Sequence, residues 1–236
     1  YTAIEDDCIR KNPFNFALDT VIEDDRERKA ALTPKQEESL LAFMEQDAVY
    51  KKYRDEVIIL LGTGLRISEF CGLTTALDFK NRQINVDHQL LRDTDIGYYV
   101  ETPKTKKGIR QIPMSEEVYQ ALRRVLKNRS NAAPFSIEGY KNFLFLKNDG
   151  MPKVAANYES MLKGLVKKYN KQNKEQLPNI TPHILRHTFC TRLANAGMNP
   201  KALQYIMGHA NITMTLNYYA HATYDSAKAE MERLAA

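Results

Sequence analysis

The stretch TPHILRHTFCTRL, residues 181–193, combines a helix start with two basic side chains. Thr181 suits the N-cap and Pro182 the first helical position, so His183 lies in the first turn. Free backbone N–H groups and the helix dipole favour an anion there, and Arg186 lies on the same face. The pattern predicts a phosphate site. The chain has five histidines, so chance also explains H-x-x-R.

Similar start and stop signals bound the neighbouring helices. Gly197 ends this helix, Asn199-Pro200 starts the next, Gly208 closes it, and Asn211 can cap a third. Near the other end of the chain, LTPKQ places Thr33 at an N-cap, with glutamine three residues later. Helical patterns also occur in YKKYRDEVIILLGTG, LRISEFCGL, SEEVYQALRRVLKNR and NYESMLKGLVKKYNKQ.

Strand-like segments occupy the middle of the chain. QINVDHQLLRD, GYYVETPK, IRQIPM and a short FLFL are rich in β-branched and aromatic residues. Two of them are expected to form a long hairpin between Val86 and Val100. The sequence therefore predicts a mainly α fold with a small antiparallel β-sheet, of the α+β class.

The composition is that of a globular protein, with 43% hydrophobic and 27% charged residues. No apolar run approaches the ~20 residues that a membrane-spanning helix needs, so we expect no membrane association. Cys8, Cys71 and Cys190 are too widely spaced for a disulfide framework or a zinc site, and a reducing cytoplasm is the simplest setting. The chain begins with Tyr, in a segment that reads like the end of a helix, which predicts a fragment of a longer protein.

The net charge of +5 is unevenly distributed. Residues 1–48 carry twelve acidic and six basic side chains, so the positive excess lies in residues 49–236. Such an excess favours a polyanionic partner, most often a nucleic acid. A basic surface without any ligand explains the charge equally well.

The segment GTGLRISEF places Arg66 and Glu69 one helical turn apart. A surface ion pair is the simpler interpretation. The apolar neighbours Leu65 and Ile67 indicate partial burial, however, and a partly buried arginine needs an acidic partner or an anionic ligand.

A basic turn occurs in TPKTKKGIRQIPM, which carries Lys104, Lys106, Lys107 and Arg110. Lysines of this kind often protect the edge of a sheet. The functional alternative is a mobile hairpin against phosphates, with one lysine as a proton donor.

The last candidate segment is YIMGHANITMTLNYYAH, in which His209 follows the helix-ending Gly208. Two adjacent tyrosines, Tyr218 and Tyr219, follow about three helical turns later. A tyrosine pair in such a position is usually packing, so the segment alone carries little weight.

Taken together, the segments give arginine, hairpin lysine, H-x-x-R, G-H and tyrosine in that order. This set resembles the catalytic domain of the tyrosine recombinase (phage-type integrase) family, over nearly the whole chain from about Leu32. TGLRISEFCGLT, PHILRHTF and MGHANITMTLNYYAH are especially similar to integrases of conjugative transposons of Gram-positive bacteria. The run GLTTALDF is one residue shorter than is usual after the first arginine.

The resemblance implies a domain organisation and the tyrosine recombinase catalytic-domain fold. Residues 1–31 are similar to the end of the core-binding domain and the interdomain linker. Residues 32–236 then form the catalytic domain, whose tail TYDSAKAEMERLAA is expected to be an amphipathic helix with Ala227, Met231 and Leu234 on one stripe.

The resemblance also implies DNA cleavage and rejoining through a 3′-phosphotyrosine, without a metal or other cofactor. Arg66 and Arg186 would clamp the non-bridging oxygens, while Glu69 orients Arg66. His183 would relay the tyrosine proton and His209 would donate to the scissile phosphate. Lys104 would protonate the leaving 5′ oxygen.

The nucleophile is expected to be Tyr219, with Tyr218 as the alternative. In the family, the nucleophile is commonly followed two residues later by histidine, as in Tyr219-Ala220-His221. At 100° per residue, Tyr219 shares an apolar helical face with Ile212 and Leu216, whereas Tyr218 lies off that face. Tyr224 is read as packing.

The resemblance further implies partners and a location. The partners are double-stranded DNA at transposon ends and target sites, other protomers in a tetramer on synapsed DNA, and an excisionase. The location is the bacterial cytoplasm, in association with the nucleoid. Six basic side chains are expected to contact the DNA backbone: Lys106, Lys107, Arg110, Lys163, Lys167 and Lys168. The alternatives are DNA relaxation by a type IB topoisomerase and a DNA-binding regulator without catalysis.

Overall fold

The computed structural model describes residues 31–103, 108–129, 135–219 and 231–232. The helices are α1 (Pro34–Gln46), a 3-10 turn (Lys51–Tyr53), α2 (Arg54–Thr63), α3 (Ile67–Gly72), α4 (Glu116–Asn128), α5 (Ala155–Gln172), α6 (Pro182–Asn195), α7 (Pro200–Met207) and α8 (Thr213–Leu216). The strands are β1 (Gln83–Val86), β2 (Gln89–Asp93), β3 (Gly97–Glu101) and β4 (Arg110–Pro113). The predicted fold class, mainly α with a small amount of antiparallel sheet, is confirmed. In the part of the chain described, no helix has the length and apolar character to cross a bilayer.

Three of the predicted helix starts are confirmed by their caps, whereas Ile212 and not Asn211 occupies the cap position of α8. The Thr33 hydroxyl accepts from the Gln36 N–H, and the Gln36 side chain accepts from the Thr33 N–H, so α1 begins with a full capping box. Thr181 caps α6, and the Asn199 side chain accepts two backbone N–H groups at the start of α7. These caps satisfy backbone donors that have no partner inside the helix.

Helix α2 lies at the centre of the core. Its run from Val57 to Leu61 is almost completely buried, and the helix packs against both α4 and α6. Gly64 ends it with a φ of +62°, and a Cβ there would lie 2.3 Å from the Phe189 ring. Only glycine therefore allows α2 to approach α6 so closely, and this approach brings Arg66 towards Arg186.

The strands form two antiparallel pairs. Strand β1 pairs with β4, with Val86 opposite Arg110. Strand β2 pairs with β3 in a hairpin from Gln89 to Glu101, so a hairpin is confirmed but its predicted start at Val86 is wrong. The predicted strand QINVDHQLLRD is interrupted at His88, whose buried ring lies with Nε2 2.7 Å from the Gly72 oxygen. The segment FLFL, which begins at Phe143, makes only isolated bridges, so its prediction as a strand is wrong. Its side chains pack into the core instead of extending a ladder.

The predicted boundary between residues 31 and 32 stays a prediction, because residues 1–30 lie outside the described part of the chain. Two members of the predicted tail stripe, Ala227 and Leu234, also lie outside it. Of that stripe, Met231 is described, as helical and 70% exposed.

Candidate active site

Arg66 and Glu69 form a partly buried unit at the start of α3. The Glu69 carboxylate accepts from the Arg66 backbone N–H at 2.9 Å and from its guanidinium at 2.8 Å. The Glu69 side chain is only 8% exposed, whereas that of Arg66 is 41% exposed. A solvated surface pair is therefore excluded, and the arginine retains access to solvent.

Arg110 lies on the other side of the same carboxylate. Its Nη1 and Nη2 donate to the two Glu69 oxygens at 3.0 and 2.8 Å, and its side chain is 0% exposed. All three guanidinium nitrogens of Arg110 bind protein oxygens, so the structure does not support its predicted contact with the DNA backbone. The signal in the sequence was the strand period of two, which places Arg110 on the same inward face of β4 as Ile112.

Burial raises the pKa of Glu69, but its neighbours outweigh that effect. The hydrogen bonds and charge of Arg110, followed by those of Arg66, hold the pKa below its ordinary value. Glu69 is therefore an ionised anchor between two cations at neutral pH.

Arg186 projects from α6 to the junction of α2 and α7. Its Nη1 donates to the Gly64 oxygen at 2.5 Å and its Nη2 to the Met207 oxygen at 2.6 Å. Burial, and then the nearby charge of Arg66, lower the pKa of Arg186 to about 10. The group remains a cation at neutral pH, and Arg66 is close enough to repel it, so the two guanidinium groups share one region. A shared anion between them would relieve that repulsion.

His209 follows α7 and is buried beside these arginines. Its Nδ1 lies 3.0 Å from the Thr215 hydroxyl, and the residue is 6% exposed. Burial lowers the pKa of His209 to about 4, and Arg186, Arg66 and Arg110 add to the effect. The imidazole is therefore neutral at pH 7 and can donate a hydrogen bond from one ring nitrogen.

His183 lies in the first turn of α6, as predicted, and its side chain is exposed. Burial lowers the pKa of the neighbouring His187, and the proximity of His183 adds to the effect. His183 is thus open to solvent at the helix start, whereas Arg186 is buried.

The tyrosine pair does not follow the predicted helical face. Helix α8 ends at Leu216, which is 44% exposed, so the argument that placed Tyr219 on a buried face with Leu216 is wrong. Tyr218 instead faces the site, with its ring 5.0 Å from that of His187 and 6.5 Å from that of His209. Because α8 is a single turn that ends before Tyr218 and Tyr219, the helical rotation of 100° per residue does not apply to these two residues.

The Tyr219 hydroxyl donates to the Met198 oxygen at 2.5 Å. Burial raises the pKa of both phenols. The neighbouring Cys190 adds to the raised pKa of Tyr218, whereas the charge of Arg186 opposes it. The structure therefore brings Tyr218 to the arginines and turns Tyr219 away from them.

The remaining predicted residues divide into two groups. Lys104, Lys106, Lys107 and His221 lie outside the described residues. On α5, Lys163 and Lys167 are exposed, whereas Lys168 pairs with Asp47 at 2.5 Å.

The described part of the site combines guanidinium, imidazole and phenol groups with one ionised carboxylate. Within the described ranges, no cluster of three or more His, Cys, Asp or Glu side chains is arranged to hold a metal ion. Two cations beside a neutral imidazole form a site for an anion such as a phosphodiester.

Comparison with known proteins agrees with this chemistry. The family model described as "Phage integrase family" matches residues 30–226. The transposase from transposon Tn916 of Enterococcus faecalis is 67% identical over 99% of this chain, which spans only 58% of that relative. The tyrosine recombinase XerA of Pyrococcus horikoshii is 32% identical over 82% of this chain and 62% of its own length.

Solved structures give the same relationship. The Tn1549 transposon integrase, with one tyrosine replaced by phenylalanine and in complex with transposon right end DNA, matches with a TM-score of 0.91 and 67% identity. That match covers 100% of this chain and 75% of the other. The crystal structure of XerA recombinase matches with a TM-score of 0.61 and 25% identity, over 88% of this chain and 66% of the other.

Proposed function

Because this chain belongs to the phage integrase family of tyrosine recombinases, we propose that it is the catalytic part of a transposon integrase. It cuts and rejoins DNA through a 3′-phosphotyrosine intermediate, for integration and excision of a mobile element. The similarity to an integrase solved with transposon end DNA supports transposon DNA as the substrate.

The observation that carries this proposal is the fixed position of two guanidinium groups. Arg66 Nη2 donates to the Gly208 oxygen at 2.9 Å, and Arg186 Nη2 donates to the adjacent Met207 oxygen at 2.6 Å. Both cations are thus held in place without a substrate. His209 directly follows Met207 and Gly208 in the chain. Preorganised charge of this kind stabilises a pentacoordinate phosphorane at little cost in reorganisation.

The reaction follows from the residue types. The Tyr219 oxygen attacks the phosphorus atom, the bond to the 5′ oxygen breaks, and His183 accepts the phenol proton. Lys104 supplies a proton to the leaving 5′ oxygen, while His209 donates a hydrogen bond to a non-bridging oxygen. A 5′-hydroxyl of the partner strand then attacks the phosphotyrosine and releases the tyrosine, so the bond energy is conserved.

We assign the nucleophile to Tyr219 rather than Tyr218. Tyr218 is engaged with Cys190 and with the rings of His187 and His209, which suits a packing role. Tyr219 is followed by Ala220-His221, and a histidine two residues after the nucleophile is common in the family. Its hydroxyl must leave the Met198 oxygen before it can reach a phosphate.

The reaction also defines partners. Exchange between two duplexes needs four strand cleavages, so we propose a tetramer of protomers on synapsed DNA, with an excisionase as a further partner. Since the substrate is chromosomal and transposon DNA, we place the protein at the nucleoid in the bacterial cytoplasm.

A nicked suicide duplex tests the proposal. Cleavage next to the nick releases a short strand and traps the covalent complex, so we expect an SDS-resistant protein–DNA adduct whose modified peptide contains Tyr219. Absence of an adduct would favour a regulator that only binds DNA. Relaxation of supercoiled plasmid without strand exchange would favour a topoisomerase.

A further inference from the structure

Three consecutive carbonyl groups at the end of α7 each accept a hydrogen bond from a different arginine. The pairs are Ile206 with Arg110 at 2.7 Å, Met207 with Arg186 at 2.6 Å, and Gly208 with Arg66 at 2.9 Å. The last carbonyls of a helix lack partners within it and lie at the negative end of its dipole, so they suit cations. Two of these arginines belong to the proposed phosphate clamp, and Arg110 does not.

The guanidinium nitrogens of Arg110 all donate to oxygen atoms of the protein. Its Nε donates to the Ile206 oxygen, and its two Nη atoms donate to the two oxygens of Glu69. The side chain is fully buried. It therefore joins the start of α3 to the end of α7 without a surface for DNA.

We propose that Arg110 is a positioning residue for cleavage, which acts through Glu69 and the end of α7 to fix Arg66 relative to His209. This inference rests on the proposed function, because Arg66 and His209 matter only if the chain cleaves DNA.

The route to Arg66 passes through Glu69. One carboxylate oxygen accepts from Nη1 of both Arg66 and Arg110, and the other accepts from the Arg66 backbone N–H and from Arg110 Nη2. The carboxylate orients Arg66 from one side and is itself held from the other. Without Arg110, it is free to rotate towards Arg66, and the guanidinium plane of Arg66 rotates with it.

The route to His209 passes through Gly208. This residue has a φ of +62°, and a Cβ placed on it would lie 2.9–3.1 Å from the guanidinium atoms of Arg110. The guanidinium thus packs directly against the main chain that precedes His209. A side chain at position 208 would push the Arg110 guanidinium away from the Gly208 main chain.

Arg110→Lys tests the inference. Lysine keeps a cation beside Glu69, but one ammonium cannot serve two carboxylate oxygens and the Ile206 carbonyl as the planar group does. At saturating nicked duplex, we expect single-turnover cleavage to fall on the order of 10²-fold, because small displacements of catalytic groups cost about that much. DNA affinity and its salt dependence should not change. Arg124→Lys is the matched control, since Arg124 makes a similar two-oxygen pair with Asp55 elsewhere.

A double-mutant cycle separates positioning from simple stabilisation. Because one of the two routes from Arg110 passes through Glu69, Arg110→Lys combined with Glu69→Gln should lose less cleavage rate than the product of the two single losses. Independent, multiplying losses would overturn the inference, and so would cleavage by Arg110→Lys within twofold of the wild type. A salt slope reduced by roughly 0.9 would instead make Arg110 a phosphate contact.

Failure of the wild type to form an adduct and failure of Arg110→Lys to fold are interpreted separately. If the wild type forms no adduct, the proposed function fails first, independently of Arg110. If Arg110→Lys does not fold, Gly208→Ala tests the same contact with every charge retained. Gly197→Ala is its control for backbone strain, because Gly197 has a φ of +77° and no atom within 4 Å of a Cβ. Slow cleavage by Gly208→Ala alone, with normal DNA affinity, supports positioning, and normal cleavage overturns it.

Discussion

Tyr219 is held by Met198: its hydroxyl donates to the Met198 main-chain oxygen at 2.5 Å. Met198 lies in the loop that precedes α7, whereas the carbonyls of Met207 and Gly208, which bind Arg186 and Arg66, lie at the other end of that helix. Cleavage by Tyr219 therefore requires the segment after Leu216 to rotate and exchange this hydrogen bond for a place in the site.

We expect Tyr219→Phe to abolish the covalent adduct and to leave DNA affinity nearly intact, because only the hydroxyl is lost. Tyr218→Phe is the matched control. It removes the hydroxyl near Cys190 and should still form the adduct. Adduct formation on suicide duplexes, followed by peptide mapping, measures both. Loss of the adduct in Tyr218→Phe alone would move the nucleophile to Tyr218.

Arg66→Lys should bind DNA normally but cleave it slowly, on the order of 10²-fold below the wild type. An ammonium can keep the charge next to Glu69, but it cannot clamp two phosphate oxygens as a planar fork does. Single-turnover rates at saturating duplex give the comparison, with Arg124→Lys as control. Near-normal cleavage by Arg66→Lys would remove Arg66 from the active site.

Much of the fold follows from local signals in the sequence. The caps at Thr33, Thr181 and Asn199 satisfy donors within three residues, so their chemistry is readable without tertiary structure. The order of the motifs predicted that Arg66 and Arg186 lie in one site. In the structure, both arginines donate to adjacent carbonyls at the end of α7.

Other features depend on contacts distant in sequence. Arg110 was expected at the surface because the turn before it is basic, but the pleat of β4 directs it to Glu69. The orientation of Tyr219 depends on a carbonyl 21 residues away. Helix α8 ends at Leu216, and that side chain is exposed. The helical periodicity of the sequence did not predict this early end of the helix.

Two lysines on α5 should contribute to the salt dependence of DNA binding. Lys163 and Lys167 are exposed, so Lys163→Gln and Lys167→Gln should each reduce the slope of log K against log salt by roughly 0.9. Lys168 was also predicted to contact the DNA backbone, but its ammonium pairs with Asp47, so Lys168→Gln should change the slope less and serves as the control. Binding titrations from low to high salt measure the slopes. A change in sequence preference without a change in slope would contradict backbone contact.

Stability should depend on His209 in mild acid. Its folded pKa of about 4 lies below the ordinary 6.5, so the unfolded state binds the extra proton first as the pH falls. His209 should therefore destabilise the fold progressively between pH 6.5 and pH 4, by about 3 kcal/mol in total. Urea unfolding over this range should show a smaller loss in His209→Gln than in the wild type. Equal losses in both proteins would show that His209 is not the group responsible.

The tail, TYDSAKAEMERLAA, begins four residues after Tyr219. An amphipathic tail needs a surface for its apolar stripe, and Met231 is 70% exposed, as docking on another protomer requires. We expect the tail to restrain Tyr219 until synapsis and then to dock on a neighbour. Deletion from Thr223 onward should raise cleavage by isolated protomers and impair complete recombination, measured on suicide duplexes and paired recombination substrates. If the deletion variant recombines normally, or merely unfolds in a thermal melt, the tail does not regulate cleavage.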